Sequence, residues 1–138
     1  MVILGIDLGQ ARTGVAASDP TEFLASPVET VAERDDGELL RRIAAIVKQR
    51  DAGKIVVGHP KNMDGSCGDS ARRAEAFAAS LAEICGVEAV LWDERLTTVS
   101  AIGIMNETNT RGKKRKAVID TVAATILLQE YLDANKRK

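Results

Sequence analysis

The chain has 138 residues, of which 45% are hydrophobic and 28% charged, and its formal net charge is −1. This composition is typical of a soluble protein, and we expect residues 1–138 to form a single domain with its own core. No apolar run approaches the roughly 20 residues of a membrane span, and no basic-then-apolar leader is present. We therefore expect a cytoplasmic protein without a membrane partner. Because the net charge is small, any binding of nucleic acid must depend on local charge.

The first elements in the chain form a predicted hairpin. Residues 2–8 are a short apolar run with one carboxylate, Asp7, near its end. Such a run is typical of a strand buried on both faces at the centre of a sheet. Gly9 and Gly14 bracket a tight polar turn, after which residues 15–17 return as a second strand. Asp7 would lie at the carboxyl end of the central strand, where open α/β sheets bind ligands, although a lone aspartate there can also be a turn former.

The rest of the chain alternates strands with helices. A third strand at 23–31 contains Pro27, which indicates a sheet edge or a strand boundary. We predict further strands at 54–58 and 87–92. Four helices are predicted: the first over about 35–50, the second from the end of the polar loop 61–70 to Gly86, the third over 97–105 and the fourth over 117–133. This order predicts an α/β fold with a five-stranded mixed sheet and helices on both faces, as in a ribonuclease H-like domain.

Three carboxylates stand out by their positions. Asp7 ends the first strand, Glu94 follows the fifth strand, and Asp120 lies near the start of the last helix. Asp120 shares a helix side with a set of apolar residues, namely Ala117, Ala123, Ala124, Leu127, Leu128 and Tyr131. A carboxylate buried on that side must be paired or bound to a metal. The alternative is a helix cap or a salt bridge to Arg115 or Lys116.

Convergence of these carboxylates at one sheet edge predicts an oxygen-rich site for Mg²⁺ or Mn²⁺. A pair of such ions can stabilise both the attacking and the leaving oxygen of a phosphoryl displacement. Two other carboxylates are candidates to replace Glu94. Asp93 points to the opposite face of a regular strand, and Asp64 lies in a glycine-flanked loop. We prefer Glu94, because a strand end holds a ligand more firmly than a loop does.

A basic run precedes the last helix. Its five cations are Arg111, Lys113, Lys114, Arg115 and Lys116. A mobile basic loop beside a metal site would suit a phosphodiester backbone, although such runs are often only solvated loops. Arg12 and Arg95 are candidates for further phosphate contacts. Because aromatic residues make up only 3% of the chain, recognition of the backbone and its shape is favoured over stacking on bases.

The only histidine, His59, lies in Gly-His-Pro at the end of the fourth strand. It is a candidate proton shuttle or phosphate contact. A partly exposed histidine with a structural role is the favoured interpretation.

Four motifs, in this order, resemble those of the YqgF family, which is also called RuvX. They are Gly-Ile-Asp-Leu-Gly at 5–9 with Arg-Thr-Gly-Val-Ala at 12–16, Val-Gly-His-Pro at 57–60 with Asn-Met-Asp-Gly at 62–65, Asp-Glu-Arg-Leu-Thr-Thr at 93–98, and Asp120 with Ala-Ala at 123–124 and Leu-Leu-Gln at 127–129. The resemblance implies a ribonuclease H-like fold related to the resolvase RuvC, and a nuclease that processes the 5′ end of precursor 16S ribosomal RNA. It also implies that Asp7, Glu94 and Asp120 occupy the metal-binding catalytic positions. The sequence departs from the family at His59, where leucine is usual.

Several functions therefore compete. The leading hypothesis is a metal-dependent endonuclease that acts on structured RNA, above all on precursor ribosomal RNA. A resolvase of four-way DNA junctions is the first alternative, and it requires a symmetric dimer, so monomer and homodimer both stay open. A non-catalytic RNA-binding factor in ribosome assembly is the second alternative. An actin-like ATPase is disfavoured by the length, because that fold needs two such domains around its nucleotide.

Overall fold

The structure is a computed structural model that describes residues 1–60, 68–93 and 112–136, without the side chains of 112–120 and 136. Its strands are β1 (Val2–Asp7), β2 (Arg12–Ser18), β3 (Ala25–Ala32), β4 (Ala52–His59) and β5 (Glu88–Asp93). Its helices are α1 (Asp36–Gln49), α2 (Asp69–Cys85) and α3 (Gly112–Lys136). The helix predicted over 97–105 lies outside the described residues.

The five strands form one mixed sheet in the order β3-β2-β1-β4-β5. The first three strands pair antiparallel, whereas β1, β4 and β5 run parallel. The predicted mixed five-stranded sheet is therefore confirmed, with β1 at its centre. Pro27 lies in the edge strand β3, as its missing N–H donor requires.

Helices cover both faces of the sheet, as predicted. On one face, α1 and α2 pack against large aliphatic side chains such as Leu4, Ile6 and Ile55. On the other face, α3 packs through Ala124, Leu128, Tyr131 and Leu132 against a second cluster that includes Ile3, Ala16 and Val56. Within the described part of the chain, no helix combines the length and the apolar character that a membrane crossing needs.

Local signals explain where α1 begins and where α2 ends. The Asp35 side chain accepts a hydrogen bond of 2.8 Å from the backbone N–H of Glu38 and so caps α1. Helix α2 ends at Gly86, whose φ of 68° is the left-handed conformation that glycine adopts readily.

The last helix begins earlier than predicted. Helix α3 starts at Gly112, so residues 113–116 are helical and the prediction of a mobile basic loop is wrong. Lysine and arginine are good helix formers, and a run of charge does not by itself interrupt a helix. Asp120 consequently lies about two turns into α3, which excludes the proposed role as a helix cap.

Candidate functional site

Asp7 is the last residue of the central strand and is partly buried. The alternation of side chains along β1 assigns it a face. Leu4 and Ile6 belong to the core under α1 and α2, whereas Ile3 belongs to the core under α3. Asp7, four residues after Ile3, therefore lies on the α3 face at the carboxyl edge of the sheet.

Helix α3 approaches β1 very closely just before Asp7. A β-carbon built on Gly5 would lie 2.7 Å from Cβ of Leu128 and 3.4 Å from the carbonyl oxygen of Ala124. Only glycine therefore fits at this position without a shift of the helix or the strand. Asp120 lies four residues before Ala124, on the same side of α3 by helical periodicity.

The two strands beside β1 present glycine next to Asp7. Gly14 of β2 pairs directly with Asp7. On the other side, Gly58 follows Val57, which is the β4 partner of Ile6. Both glycines lie on the α3 face by the strand alternation, and neither carries a side chain that would fill the space beside the carboxylate.

The remaining predicted ligands are described only in part. The backbone of Asp120 is described but its side chain is not, and Glu94 and Asp64 lie outside the described residues. Among the side chains that the structure describes, no three His, Cys, Asp or Glu residues are grouped as a metal site would require. The convergence of Asp7, Glu94 and Asp120 therefore stays a prediction.

Asp93 lies on the other face of the sheet from Asp7. Val90 and Trp92 pack on the α3 side of β5, whereas Ala89 packs on the α1 and α2 side. Alternation then directs Asp93 toward the side of Ala89. This geometry argues against Asp93 as a substitute ligand.

Arg12, among the predicted phosphate contacts, shares the face of Asp7. It begins β2, two residues before Gly14 and four before Ala16, whose side chain packs under α3. Lys113, Lys114, Arg115 and Lys116 follow the first residue of α3, although their side chains are not described, and Arg95 and Arg111 lie outside the described residues. Arg12 therefore lies at the same end and on the same face of the sheet as Asp7.

His59 is more buried than predicted. Its exposed fraction is 7%, and its Nε2 lies 2.6 Å from Oε2 of Glu75 in α2. The expectation of a partly exposed histidine is therefore wrong, whereas a structural link between the end of β4 and α2 is what the contact provides. Glu75 has no sequence signal of its own, because only the fold brings it to the strand end.

Arg73 is a site neighbour that the sequence did not single out. It is in α2, and its Nη1 donates a hydrogen bond of 2.7 Å to the carbonyl oxygen of Gly9, two residues after Asp7. Its Nε and Nη2 donate to the carboxylate of Asp36 at the start of α1, with distances between 2.7 and 3.1 Å. An arginine in the first turns of a helix after a polar loop was the only available hint.

Two sequence comparisons found known proteins that resemble this chain. A family model described as "RuvX: Holliday junction resolvase" matches residues 1–134. A protein of Lachnospira eligens that bears the name "Putative pre-16S rRNA nuclease" is 42% identical over 140 residues, which cover 99% of this chain and 100% of that protein.

Two solved structures share the fold. The RuvC of T. thermophilus, in complex with a Holliday junction substrate, superposes with a TM-score of 0.63 at 15% identity, over 100% of this chain and 97% of that one. A Fowlpox virus resolvase, also in complex with a Holliday junction, gives a TM-score of 0.57 at 9% identity, over 98% of this chain and 99% of that one. At such low identity, these similarities support the ribonuclease H-like fold alone.

Proposed function

The chain belongs to the RuvX family, and we propose that it is a metal-dependent nuclease built around Asp7. The observation that carries this proposal is the position of Asp7. Its carboxylate is at the carboxyl end of the central strand, where α/β sheets bind ligands, with glycines on both neighbouring strands. The glycines add no side chain that would compete with a cation or a phosphate group beside this carboxylate.

The proposed ligands are Asp7, Glu94 and Asp120. Carboxylate oxygens are the donors that Mg²⁺ and Mn²⁺ prefer, so the donor set fits a hard divalent cation or a pair of them. When bound, such a cation would supply positive charge to the phosphate and activate water. Support comes from the shared α3 face of Asp7 and Ala124, since Asp120 lies one turn before Ala124.

The protein's own cations would bind and orient the nucleic acid. Arg12 lies on the face of Asp7, and we propose that it contacts a phosphate there. We propose the same role for Arg95, Arg111 and the basic positions 113–116. Because each phosphate contact releases counterions, binding should weaken steeply as salt is added.

The proposed substrate is precursor 16S ribosomal RNA, as named for relatives that are 42% identical to this chain. We propose that residues 1–138 form a single domain. A protein that acts on ribosomal RNA would work in the cytoplasm. The description of the family favours a second candidate, cleavage of four-way DNA junctions. Both candidates hydrolyse phosphodiester bonds, and they differ in the need for two sites that face one symmetric substrate.

The test is cleavage of a labelled precursor 16S leader RNA and of a labelled four-way DNA junction, each with Mg²⁺ or Mn²⁺. We expect Asp7→Asn, Glu94→Gln and Asp120→Asn each to lower the rate by at least about a hundredfold, because each removes a charged ligand. Glu83→Gln, which changes an exposed carboxylate of α2, is the matched control and should cleave like the wild type. Asp93→Asn should retain most of the activity.

Other outcomes would contradict parts of this proposal. A wild type that binds the RNA but cuts neither substrate with either metal would indicate a non-catalytic assembly factor. Equal rates for wild type and Asp7→Asn would mean that the site is elsewhere. Preferential cleavage of the junction by a stable two-fold dimer would favour the resolvase.

A further inference from the structure

The turn between β1 and β2 is held from the face opposite α3. Gly9 in this turn accepts the 2.7 Å hydrogen bond from Nη1 of Arg73. The turn is tight, since a β-carbon built on Gly9 would clash with the carbonyl oxygen of Arg12. A displacement of Gly9 would therefore also move the backbone of Arg12 and of Leu8, which joins Gly9 to Asp7.

Arg73 is itself held in one orientation. All three of its guanidinium nitrogens donate, two of them to Asp36 and one to Gly9. Its side chain is 24% exposed, so these charge-assisted bonds lie partly out of water. With Asp36 holding Nε and Nη2, the third nitrogen is directed at the Gly9 carbonyl.

We propose that Arg73 is a positioning residue, which fixes Asp7 and Arg12 by holding the Gly9 carbonyl. The inference depends on the proposed function, because it concerns the geometry of the same site. The β1–β2 turn is then anchored to the two helices on one face, while the contact of Gly5 with Leu128 sets the distance to α3 on the other. Catalytic groups tolerate little displacement, and an error of about 1 Å can cost about a hundredfold in rate.

The test compares Arg73→Gln, Arg73→Lys and Asp36→Asn with Arg41→Gln, an exposed arginine of α1 that pairs with Glu38 within its own helix. Two measurements are made on each variant. Hydrogen exchange reports the amides of residues 8–12, and steady-state kinetics on the labelled RNA gives kcat, KM and the Mn²⁺ concentration for half-maximal rate.

We expect Arg73→Gln to speed exchange in the turn, to lower kcat by about ten- to a hundredfold and to raise the Mn²⁺ requirement, with a smaller rise in KM for the RNA through the displaced Arg12. Arg73→Lys should recover part of kcat, because an ammonium has a charge but not the fork that reaches both acceptors. Asp36→Asn should have a smaller effect, and Arg41→Gln none. This order of effects distinguishes positioning from a general loss of stability, which would not follow the contact with Gly9.

Wild-type kcat and unchanged exchange in Arg73→Gln would overturn the inference, as would an equal effect of Arg41→Gln. If Arg73→Gln does not fold, Arg73→Lys and Asp36→Asn provide the same comparison, and wild-type kinetics in both would overturn it. A wild type that cleaves no substrate contradicts the proposed function. Hydrogen exchange in the turn then still decides whether Arg73 holds it, so the two failures are distinguishable.

Discussion

The two faces of the sheet are packed in different ways. Under α1 and α2, the core consists of large, fully buried aliphatic side chains, among them Leu4, Ile6, Leu39, Ile43 and Leu81. Under α3, the small residues Gly5, Ala16, Ala25 and Ala124 lie among larger ones such as Leu128 and Tyr131, and at Gly5 the helix comes too close to the strand for any side chain. Large side chains keep a helix and a sheet apart, whereas small ones let the backbones approach.

This difference separates stability from function. Burial of large aliphatic groups stabilises a fold in proportion to the area removed from water, and one face provides much of that burial. The other face has a close backbone approach between β1 and α3 beside Asp7. One face of the sheet thus provides much of the aliphatic burial, and the other has the close approach of α3 to β1 beside Asp7.

Leu81→Ala tests the stabilising face. Leu81 is fully buried in α2, so its truncation should lower the free energy of unfolding by about 2–5 kcal/mol. Urea denaturation followed by circular dichroism measures this loss. At temperatures where the variant is folded, its kcat should stay within about twofold of the wild type, because no contact near Asp7 is removed. A large drop in kcat would show that the two faces are coupled.

Gly5→Ala tests the face with the site. The added methyl group would lie 2.7 Å from Cβ of Leu128, and we expect a loss of about 1–3 kcal/mol in the free energy of unfolding. We also expect kcat to fall about tenfold or more, because α3 must move away from β1. The combination with Leu128→Ala should not restore activity, since alanine retains the β-carbon that is struck.

Gly53→Ala is the matched control for this substitution. Its β-carbon would meet Sδ of Met1 at 2.5 Å, but that atom belongs to a flexible side chain that can turn away. Gly53 is near the start of β4, at the sheet edge opposite Asp7. Near-wild-type stability and activity are expected. Equal losses in the two glycine variants would contradict the special role of the β1–α3 contact.

The smallest expected effect is at Asp19. This residue lies in the β2–β3 connection, at the opposite end of the strands from Asp7. Hydrogen bonds from the backbone N–H of Leu24, the hydroxyl of Thr21 and the backbone N–H of Phe23 hold the pKa of Asp19 well below its usual range. A carboxylate with a lowered folded-state pKa stabilises the fold above its unfolded pKa of about 4 and loses that contribution as the pH falls further. Asp19→Asn should therefore be less stable than the wild type at pH 7.

Chemical denaturation at pH 7 and near pH 3 measures this difference. The gap between wild type and Asp19→Asn should narrow at the lower pH, while cleavage at pH 7 stays unchanged. A gap that is constant with pH would mean that the charge of Asp19 does not contribute.

Much of the architecture followed from local patterns in the sequence. The apolar run of β1, the proline of β3, the acidic first turn of α1 and the glycine after α2 each reflect a constraint on the backbone near that residue. The predicted start of α3 is wrong, because a run of basic residues does not by itself indicate a loop, and lysine and arginine favour helices. The burial of His59 could not be predicted from the sequence, because its partner, Glu75, is 16 positions away and on another element.

The amino-acid sequence by itself determined the order of the elements, the central position of β1 and the candidacy of Asp7. These depend on hydrophobic periodicity and turn chemistry, which act between near neighbours. The tertiary structure alone decided which faces of the sheet Asp7 and Asp93 occupy, because face and register follow from strand pairing. It also decided that Gly5 admits α3, that Asp93 turns away from Asp7 and that Arg73 reaches Gly9. Those contacts join residues far apart in the chain, and no local pattern encodes them.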